Sequence, residues 1–302
     1  MRESTPATSA KDAAPADPGG AAFATLREVL KLTPRDGTAF TGAPLATQGR
    51  VPYGGLLVAQ ALSAATQTTR PELLPRSLHA YFVGTGRADL PVDIEVEVVR
   101  DSASSAWRCV EVLQDGNVML RAETTFSIER EGPAHQDVMP AAPPPTALPN
   151  VGEQLGAFAD TYRYWDHRSA FDLRYVTSPP RLSAERGERD PHSMAWMRAG
   201  DAGRMDPREA APLLAFASDM CMLDACLKPH GLWFGDGSAS GLSLDHSLWF
   251  HGPARVDDWM LMDLRSPAMH GGRGLGIADV FSRDGRILCT IAQQGSIRPP
   301  RH

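Results

Sequence analysis

Alternating apolar and polar positions predict β-strands along much of the first half of the chain. The segment 92–99 begins Val-Asp-Ile-Glu-Val-Glu-Val, the period-two pattern of a strand with one buried face. Residues 107–113 and 118–128 continue as two strands, and Asp115-Gly116 between them is a strong hairpin signal. Ahead of them, residues 54–65 are almost continuously apolar behind two glycines, as in a helix buried nearly all round. This half therefore reads as one buried helix followed by an antiparallel meander.

The second half shows the same order of elements. A helix is predicted over residues 207–227. Asp206 is its predicted N-cap and Pro207 its first residue, and the Lys-Pro-His-Gly of residues 228–231 is a typical helix end. Asp284-Gly285 is the last hairpin signal. Strands are predicted before and after the helix, at residues 171–176, 193–199, 241–251, 258–265, 273–282 and 286–298.

The two halves also match residue by residue. Residues 77–84 read Ser-Leu-His-Ala-Tyr-Phe-Val-Gly and residues 245–252 read Asp-His-Ser-Leu-Trp-Phe-His-Gly, with Phe82 and Phe250 separated by 168 residues (250 − 82). The two Asp-Gly hairpins follow at an offset of 169 (284 − 115). A repeat of a helix and an antiparallel sheet indicates an α+β fold, a tandem double hotdog in which two antiparallel sheets are each wrapped around a central helix.

Composition then divides the chain. Residues 1–22 are rich in Ala, Pro, Ser, Thr and Gly without an apolar run, and are expected to form a disordered tail. The N-terminal hotdog is expected over 23–130, a proline-rich linker over 131–152, and the C-terminal hotdog over 153–302.

Charge and cysteine usage narrow the function classes. The 302 residues carry 30 Lys and Arg against 36 Asp and Glu, a net charge of −6 that argues against a nucleic-acid partner. No apolar run approaches the roughly 18 residues of a membrane span. The four scattered cysteines predict reduced thiols, and the C-terminal Pro-Pro-Arg-His is not a peroxisomal address, so a cytoplasmic protein is expected.

Several short segments, in order, resemble the acyl-CoA thioesterase II family over roughly residues 35–298. They are Gly54-Gly-x-x-x-x-Gln-Ala-Leu, Ser77-Leu-His-x-Tyr-Phe, Arg100-Asp101, Ala217-Ser-Asp219, Pro229-His-Gly, Leu244-Asp-His-Ser-Leu-Trp-Phe-His and Gln293-x-Gly. The resemblance implies a double-hotdog enzyme that hydrolyses fatty acyl-CoA to free acid and coenzyme A, with no metal or organic cofactor. The family usually has Arg-Pro where this chain has Gly84-Thr85 and Gly252-Pro253, which puts coenzyme-phosphate or subunit contacts in doubt.

The same resemblance implies the catalytic residues Asp219, Ser243 and Gln293, all in the C-terminal hotdog. Thioester hydrolysis needs a base for an attacking water, and Asp219 is the one carboxylate among the three. Ser243 and Gln293 are neutral and suited to orienting that water, so direct hydrolysis without an acyl-enzyme is expected. Gly54 and Gly55 are expected to bind the substrate, and Arg273 is a candidate for a phosphate of coenzyme A.

Two alternatives remain. An enoyl-CoA hydratase would need an Asp–His pair, which Asp245-His246 cannot supply because adjacent strand residues face opposite sides. A catalytically weak acyl-CoA-binding protein would have a decayed site.

His246 and His251, five apart on one strand, make a poor metal pair and are expected to be structural, so no metal site is predicted. A homo-oligomer, dimer or tetramer, paired through sheet edges is expected.

The repeat is not symmetric in its chemistry. By the same offsets, Thr124 takes the place of Gln293 (293 − 169) and Pro75 takes the place of Ser243 (243 − 168). A proline has no hydroxyl, so the first copy cannot hold the same three groups. One working site per chain is predicted.

Overall fold

The structure is a computed structural model that describes residues 18–45, 50–159, 170–200, 203–235 and 238–300. Within these ranges the chain forms six α-helices: α1 (Pro18–Val29), α2 (Gly54–Gln67), α3 (Val151–Leu155), α4 (Pro180–Arg186), α5 (Pro207–Ser218) and α6 (Asp224–Leu227). None of the helices in the described part of the chain has the length and apolar character needed to cross a membrane.

The described residues also contain thirteen strands. They are β1 (Thr33–Pro34), β2 (Ala39–Gly42), β3 (Leu74–Phe82), β4 (Val92–Asp101), β5 (Ser105–Gln114), β6 (Asn117–Ser127), β7 (Phe171–Tyr175), β8 (His192–Ala199), β9 (Ser240–Ser243), β10 (Asp245–Phe250), β11 (Met260–His270), β12 (Arg273–Ser282) and β13 (Ile287–Arg298). Their order across the sheet is β1-β2-β4-β5-β6-β3-β10-β13-β12-β11-β8-β7, with β9 paired to β13. The sheets of the two halves are thus joined edge to edge through β3 and β10.

The register of that joint confirms the repeat. His79 of β3 lies opposite Ser247 of β10, and these two residues are 168 apart (247 − 79), the offset read from the sequence. A residue that precedes His79 by some number of positions lies opposite the residue that follows Ser247 by the same number, as Leu78 and Leu248 do. A pseudo-two-fold axis through the His79–Ser247 pair therefore exchanges the two hotdogs, and the predicted α+β double hotdog is confirmed.

The central helices α2 and α5 lie side by side and run antiparallel. At one end, the Tyr53 hydroxyl ahead of α2 donates to the carbonyl of Phe216 near the end of α5 (3.1 Å). At the other end, Arg208 at the start of α5 donates to the carbonyl of Thr66 near the end of α2 (2.5 Å). Both helices are buried along most of their length, because the sheet wraps them as the continuous apolar sequence requires. Each helix start therefore lies against the end of the other helix.

Both predicted hairpins form as the turn residues require. Asp115 and Gly116 have φ values of 52° and 75°, the left-handed pair of a tight two-residue turn between β5 and β6. Gly285 at φ 86° closes the turn between β12 and β13, where its N–H donates to Ser282 O (2.9 Å). The local sequence is enough to place these turns.

Three boundaries differ from the sequence prediction in the second half. The helix predicted to run to residue 227 ends at Ser218, and a turn separates it from α6. The strand predicted over 241–251 breaks at Leu244 into β9 and β10, which pair with different parts of β13. Strand β11 continues past residue 265 to His270, because a bulge between Arg265 and Ala268 accommodates the intervening proline.

The predicted tail needs correction. Helix α1 begins at Pro18, so the last five residues of the predicted tail 1–22 are helical, and residues 1–17 lie outside the described part. The proline-rich segment 131–152, predicted to be a linker, is hydrogen-bonded to the second hotdog. Its Pro143 carbonyl accepts from Trp196 Nε1 (2.9 Å), and Arg174 donates to two further carbonyls of the segment. Hydrogen bonds therefore hold the linker along the second hotdog.

Candidate active site

Three polar side chains from three separate elements meet beside the start of α2. Gln293 Nε2 lies 2.8 Å from Asp219 Oδ1 and 2.8 Å from Ser243 Oγ, so one amide group donates to both. Ser243 Oγ lies a longer 3.5 Å from the same carboxylate oxygen. The predicted residues Asp219, Ser243 and Gln293 are thus brought together, although they are up to 74 positions apart in the chain.

Asp219 is placed by the meeting of the two central helices. It follows the last residue of α5 and acts as its C-cap, rather than lying mid-helix as expected from the sequence. A carboxylate at a helix C-terminus is unfavourable, because that end of the helix carries the negative partial charge. The start of α2 compensates, since the N–H of Gly55 donates to Asp219 Oδ2 (2.8 Å).

The two glycines at the start of α2 allow this approach. A Cβ on Gly54 would lie 3.0 Å from Asp219 Oδ2 and 3.1 Å from the ring of Phe82. A Cβ on Gly55 would lie 2.6 Å from the carbonyl of Phe216, closer than van der Waals contact permits. Gly54 and Gly55 therefore lie beside Asp219, and their backbone brings α2 against the carboxylate; that they bind the substrate stays a prediction.

Ser243 and Gln293 are held by the broken strand. Ser243 ends β9 opposite Gly295 of β13, two residues beyond Gln293. At the break, Leu244 N–H donates to Gln294 O (2.8 Å), which fixes the chain before β10 begins. Gln293 is buried while Ser243 and Asp219 are half-buried. The amide is therefore enclosed in protein, and the hydroxyl and carboxylate face the open side.

A histidine lies directly behind the amide. His246 is fully buried, its Nδ1 is hydrogen-bonded to Gln293 Oε1, and its Nε2 lies 2.7 Å from Ser218 Oγ. Burial lowers the pKa of His246, an effect that the nearby Asp219 carboxylate and the Gln293 hydrogen bond partly offset. His251, by contrast, is exposed and is hydrogen-bonded to Thr290. The two histidines therefore do not form a metal pair.

A cavity of about 610 Å³ opens at these residues. Its wall includes Asp219, Ser243 and Gln293, together with apolar side chains that include Leu57, Phe82, Met220, Met222, Leu223 and Phe234. Gly54 and Gly84 also line it, whereas His246 does not. The site thus joins one polar corner to a largely apolar space of the size that small-molecule ligands occupy.

Arg273 lies elsewhere. It begins β12 at the exposed β11–β12 hairpin, opposite His270, and is outside the residues that line the cavity. The structure therefore does not bring Arg273 to the cavity with the other predicted residues.

Comparison with known proteins supplies the family. Two family models match, one described as the acyl-CoA thioesterase N-terminal domain over residues 41–127 and one as the acyl-CoA thioesterase C-terminal domain over residues 137–297. Together they span most of the chain. The chain belongs to the acyl-CoA thioesterase II family. Members are thioester hydrolases, so the predicted enzyme class is confirmed.

Individual relatives agree over nearly the whole length of this thioesterase. It is 30% identical to acyl-CoA thioesterase 2 of Haemophilus influenzae, covering 90% of this chain and 96% of the relative. It is 32% identical to human acyl-coenzyme A thioesterase 8, covering 93% of this chain and 91% of that one. Among solved structures, an acyl-CoA thioesterase II, TesB2, from Mycobacterium marinum superposes with a TM-score of 0.74 at 30% identity, covering 91% of this chain and 98% of the other.

Sequence reasoning missed two members of the site, Ser218 and His246. The signal for His246 was present, because it alternates in phase with Leu248 and Phe250, which are the buried residues of β10. The sequence prediction excluded His246 from a pair with Asp245 or His251 and gave it a structural role, without considering which other residues shared its face. Ser218 carries no comparable signal, because its position depends on where α5 ends.

Proposed function

We propose that this enzyme hydrolyses fatty acyl-CoA to the free acid and coenzyme A, with Asp219 as the general base for a water held by Ser243 and Gln293. The observation that carries the proposal is the convergence of one carboxylate, one hydroxyl and one amide at the polar corner of an apolar cavity. The names of the relatives support the substrate class, since they are called acyl-CoA thioesterases. The apolar wall suits the acyl chain, and the polar corner suits the thioester.

The first step is the addition of water to the thioester carbonyl. Asp219 takes one proton from the water as its oxygen bonds to the carbonyl carbon, and the carbonyl electron pair moves onto oxygen. Gln293 donates to both Asp219 and Ser243, so it fixes the two acceptors between which a water can be held (2.8 Å each). Since these groups lie in a partly enclosed corner, they are preorganised before substrate arrives.

The second step is the collapse of the tetrahedral intermediate. The carbon–sulfur bond breaks, the thiolate of coenzyme A leaves with the electron pair, and the proton on Asp219 neutralises it, so atoms and charge balance. The oxyanion formed in between needs donors. The start of α2 offers backbone N–H groups, of which Gly55 is already bonded to Asp219, leaving the cavity-lining Gly54 as the donor we assign to the oxyanion.

Ser243 is assigned to hold water rather than to attack. Its hydroxyl accepts from Gln293 at 2.8 Å, and its distance to the carboxylate is 3.5 Å, too long for efficient proton removal. His246, the histidine beside the site, contacts Gln293 and Ser218 rather than Ser243. A serine nucleophile would need a base in direct contact.

Replacing Asp219 by Asn tests the base. Thiol release from butyryl-, decanoyl- and palmitoyl-CoA is measured for the wild type and for Asp219→Asn, with Asp279→Asn as the matched control at another half-buried carboxylate. We expect at least one substrate to release thiol with the wild type, and Asp219→Asn to lower kcat about 10²- to 10⁴-fold. Asp279→Asn is expected to leave kcat unchanged.

The outcomes separate the candidates. Absence of thiol release by the wild type from all three substrates, with binding retained, would indicate an acyl-CoA-binding protein. Loss of enoyl absorbance from crotonyl-CoA without thiol release would indicate a hydratase. Full turnover by Asp219→Asn would leave hydrolysis standing and remove Asp219 as its base.

A further inference from the structure

The position of His246 raises a question that the proposed chemistry does not answer. Its ring is fully buried, and the cavity wall does not include it, so it cannot touch substrate. Yet both ring nitrogens are engaged, Nδ1 with Gln293 Oε1 and Nε2 with Ser218 Oγ at 2.7 Å. Burying an imidazole is costly unless both ring nitrogens are hydrogen-bonded, and here the two partners hold the ring in one orientation.

The hydrogen-bond pattern of Gln293 decides which way protons lie. Its Nε2 contacts two acceptors, the carboxylate of Asp219 and the oxygen of Ser243, so this end must be the NH₂ group. Its Oε1 therefore faces His246 and needs a donor. The Nδ1 of His246 must carry a proton, which it donates to Gln293 Oε1.

The other ring nitrogen, Nε2, lies 2.7 Å from Ser218 Oγ. That hydroxyl also donates to the Ala215 carbonyl oxygen at 2.7 Å, so its one proton serves two neighbours. The orientation of Gln293 does not depend on the direction of the Ser218 hydrogen bond. The directed chain runs from the Nδ1 proton of His246 through the Gln293 amide to the Asp219 carboxylate.

This direction matters because an amide has two ends of nearly equal size. If Gln293 turned over, its oxygen would face the Asp219 carboxylate and its NH₂ would face the Nδ1 proton of His246, placing like charges together at both ends. We propose that His246 is a positioning residue, which holds the Gln293 amide with its NH₂ toward Asp219 and Ser243. The inference rests on the proposed function, since it concerns how one member of that site is oriented.

The repeat offers independent support. The first-half positions equivalent to His246 and Gln293 are Leu78 (246 − 168) and Thr124 (293 − 169). Those two residues are also neighbours, opposite each other on β3 and β6. The histidine is thus present in the half that has the amide and is replaced by an apolar residue in the half that lacks it. A purely structural histidine would have no reason to follow the amide.

Two amide substitutions separate the two nitrogens of the ring. The NH₂ of Asn occupies the place of Nδ1, so His246→Asn keeps a donor for Gln293 and loses the contact with Ser218. The end of a Gln side chain occupies the place of Nε2, so His246→Gln keeps the Ser218 contact and loses the donor. We expect kcat for thiol release from decanoyl-CoA within about 3-fold of wild type for His246→Asn. For His246→Gln we expect it lowered about 10- to 100-fold, with KM within about 2-fold for both.

A third variant tests that the effect passes through Gln293. His246→Leu, which copies the first repeat, is measured alone and combined with Gln293→Ala. We expect it to lower kcat in the wild-type background and to have no further effect once the amide is gone. Thermal unfolding of each variant shows whether the fold is retained. If His246→Leu does not fold, the Asn and Gln pair still decides.

The results distinguish this inference from the proposed function. Equal kcat for His246→Asn and His246→Gln, or an undiminished effect of His246→Leu in the Gln293→Ala background, overturns the positioning role. If Asp219→Asn abolishes turnover in the same assays, the proposed base stands regardless. If Asp219→Asn is fully active, Asp219 is not the base, whatever the His246 variants show, and hydrolysis itself still stands.

Discussion

The two ends of the α2–α5 helix pair have the same backbone arrangement, but one holds a carboxylate and the other a guanidinium group. At one end the start of α2 meets the end of α5, and Asp219 lies between them beside an open cavity. At the other end the start of α5 meets the end of α2, and the space is filled by Arg208. The pseudo-two-fold axis exchanges these ends, so they began as equivalent sites in the duplicated fold.

The end of the helix pair at the start of α5, here called the filled end, is occupied by Arg108 and Arg208, whose guanidinium groups are hydrogen-bonded. Arg208 donates to the carbonyls of residues 66, 69, 70 and 73, at and beyond the end of α2. Arg108, 1% exposed, donates to the Thr68 carbonyl (2.9 Å) and to the Asp101 carboxylate (2.8 Å). Guanidinium groups therefore occupy this end of the helix pair, whereas the other end opens into the cavity.

Electrostatics explain why one end is stabilising and the other reactive. A cation at the end of α2 lies at the negative end of a helix dipole, which is favourable. Asp219 lies at the negative end of α5, which is unfavourable, and depends on Gly55 and Gln293 for compensation. The two ends thus differ in charge, with cations that suit the helix dipole at one end and, at the other, a carboxylate that we propose to be the base.

The largest expected effect comes from replacing Gln293, at the end of the helix pair that opens into the cavity, by the residue at the equivalent position of the end that Arg208 fills. Gln293→Thr copies Thr124 and removes the donor to both Asp219 and Ser243. Since the water then loses its fixed acceptors, we expect kcat for thiol release to fall about 10²- to 10³-fold. The reciprocal control is Thr124→Val, which removes only a hydrogen bond to the Ser77 carbonyl. If Thr124→Val lowers kcat as much, the two ends are not functionally distinct.

Much of this comparison could be predicted from the sequence, because it depends on local patterns. The offset of 168 residues placed the pseudo-two-fold axis, and Thr124 and Pro75 already indicated that the first copy lacks the site. The Asp-Gly turns were also readable, since few residues adopt their left-handed backbone. The resemblance to the acyl-CoA thioesterase II family implied Asp219, Ser243 and Gln293, and the structure brings those three together.

What could not be predicted depends on contacts between distant segments. The apolar run through residues 207–227 gives no sign that α5 stops at Ser218, because buried helices and buried turns share that composition. The break at Leu244 arises from pairing with β13 rather than from any local breaker. The filling of the second end is likewise invisible, since Arg208 reads as a surface residue until its carbonyl partners are known.

The next effect concerns stability. Arg208→Met keeps the length of the side chain and leaves several carbonyls at the end of α2 without their donor. We expect the free energy of unfolding in urea to fall by about 2–3 kcal/mol, with kcat of the folded enzyme unchanged. Arg27→Met is the matched control, because its exposed ion pair with Glu209 of the same helix contributes under about 1 kcal/mol. Equal losses in the two variants would show that the filled end has no special role in stability.

A smaller effect tests the close approach at the working end. Gly54→Ala adds a methyl group 3.0 Å from the Asp219 carboxylate, so α2 must shift by a few tenths of an ångström. We expect kcat to fall about 10-fold with little change in thermal stability. Gly252→Ala is the control, because a Cβ there meets nothing within 4 Å. An unchanged kcat for Gly54→Ala would mean that the helix start can move without disturbing the base.

The smallest effect is the contribution of His246, in the second repeat, to the dependence of stability on pH. His246 has an ordinary pKa of 6.5 when unfolded and a lowered pKa when buried in the folded protein. Between those two pKa values the unfolded chain binds a proton that the folded chain does not, so the free energy of unfolding decreases as the pH falls below about 6.5. His246→Asn removes this group, as Leu78 does in the first repeat. We therefore expect urea unfolding between pH 7.5 and pH 5 to show a smaller loss of stability in His246→Asn than in the wild type. His251→Asn, at an exposed histidine, should change that loss less. The same dependence on pH in the wild type and in His246→Asn would mean that the pKa of His246 is equal in the folded and unfolded chain, so that burial does not disfavour the charged ring.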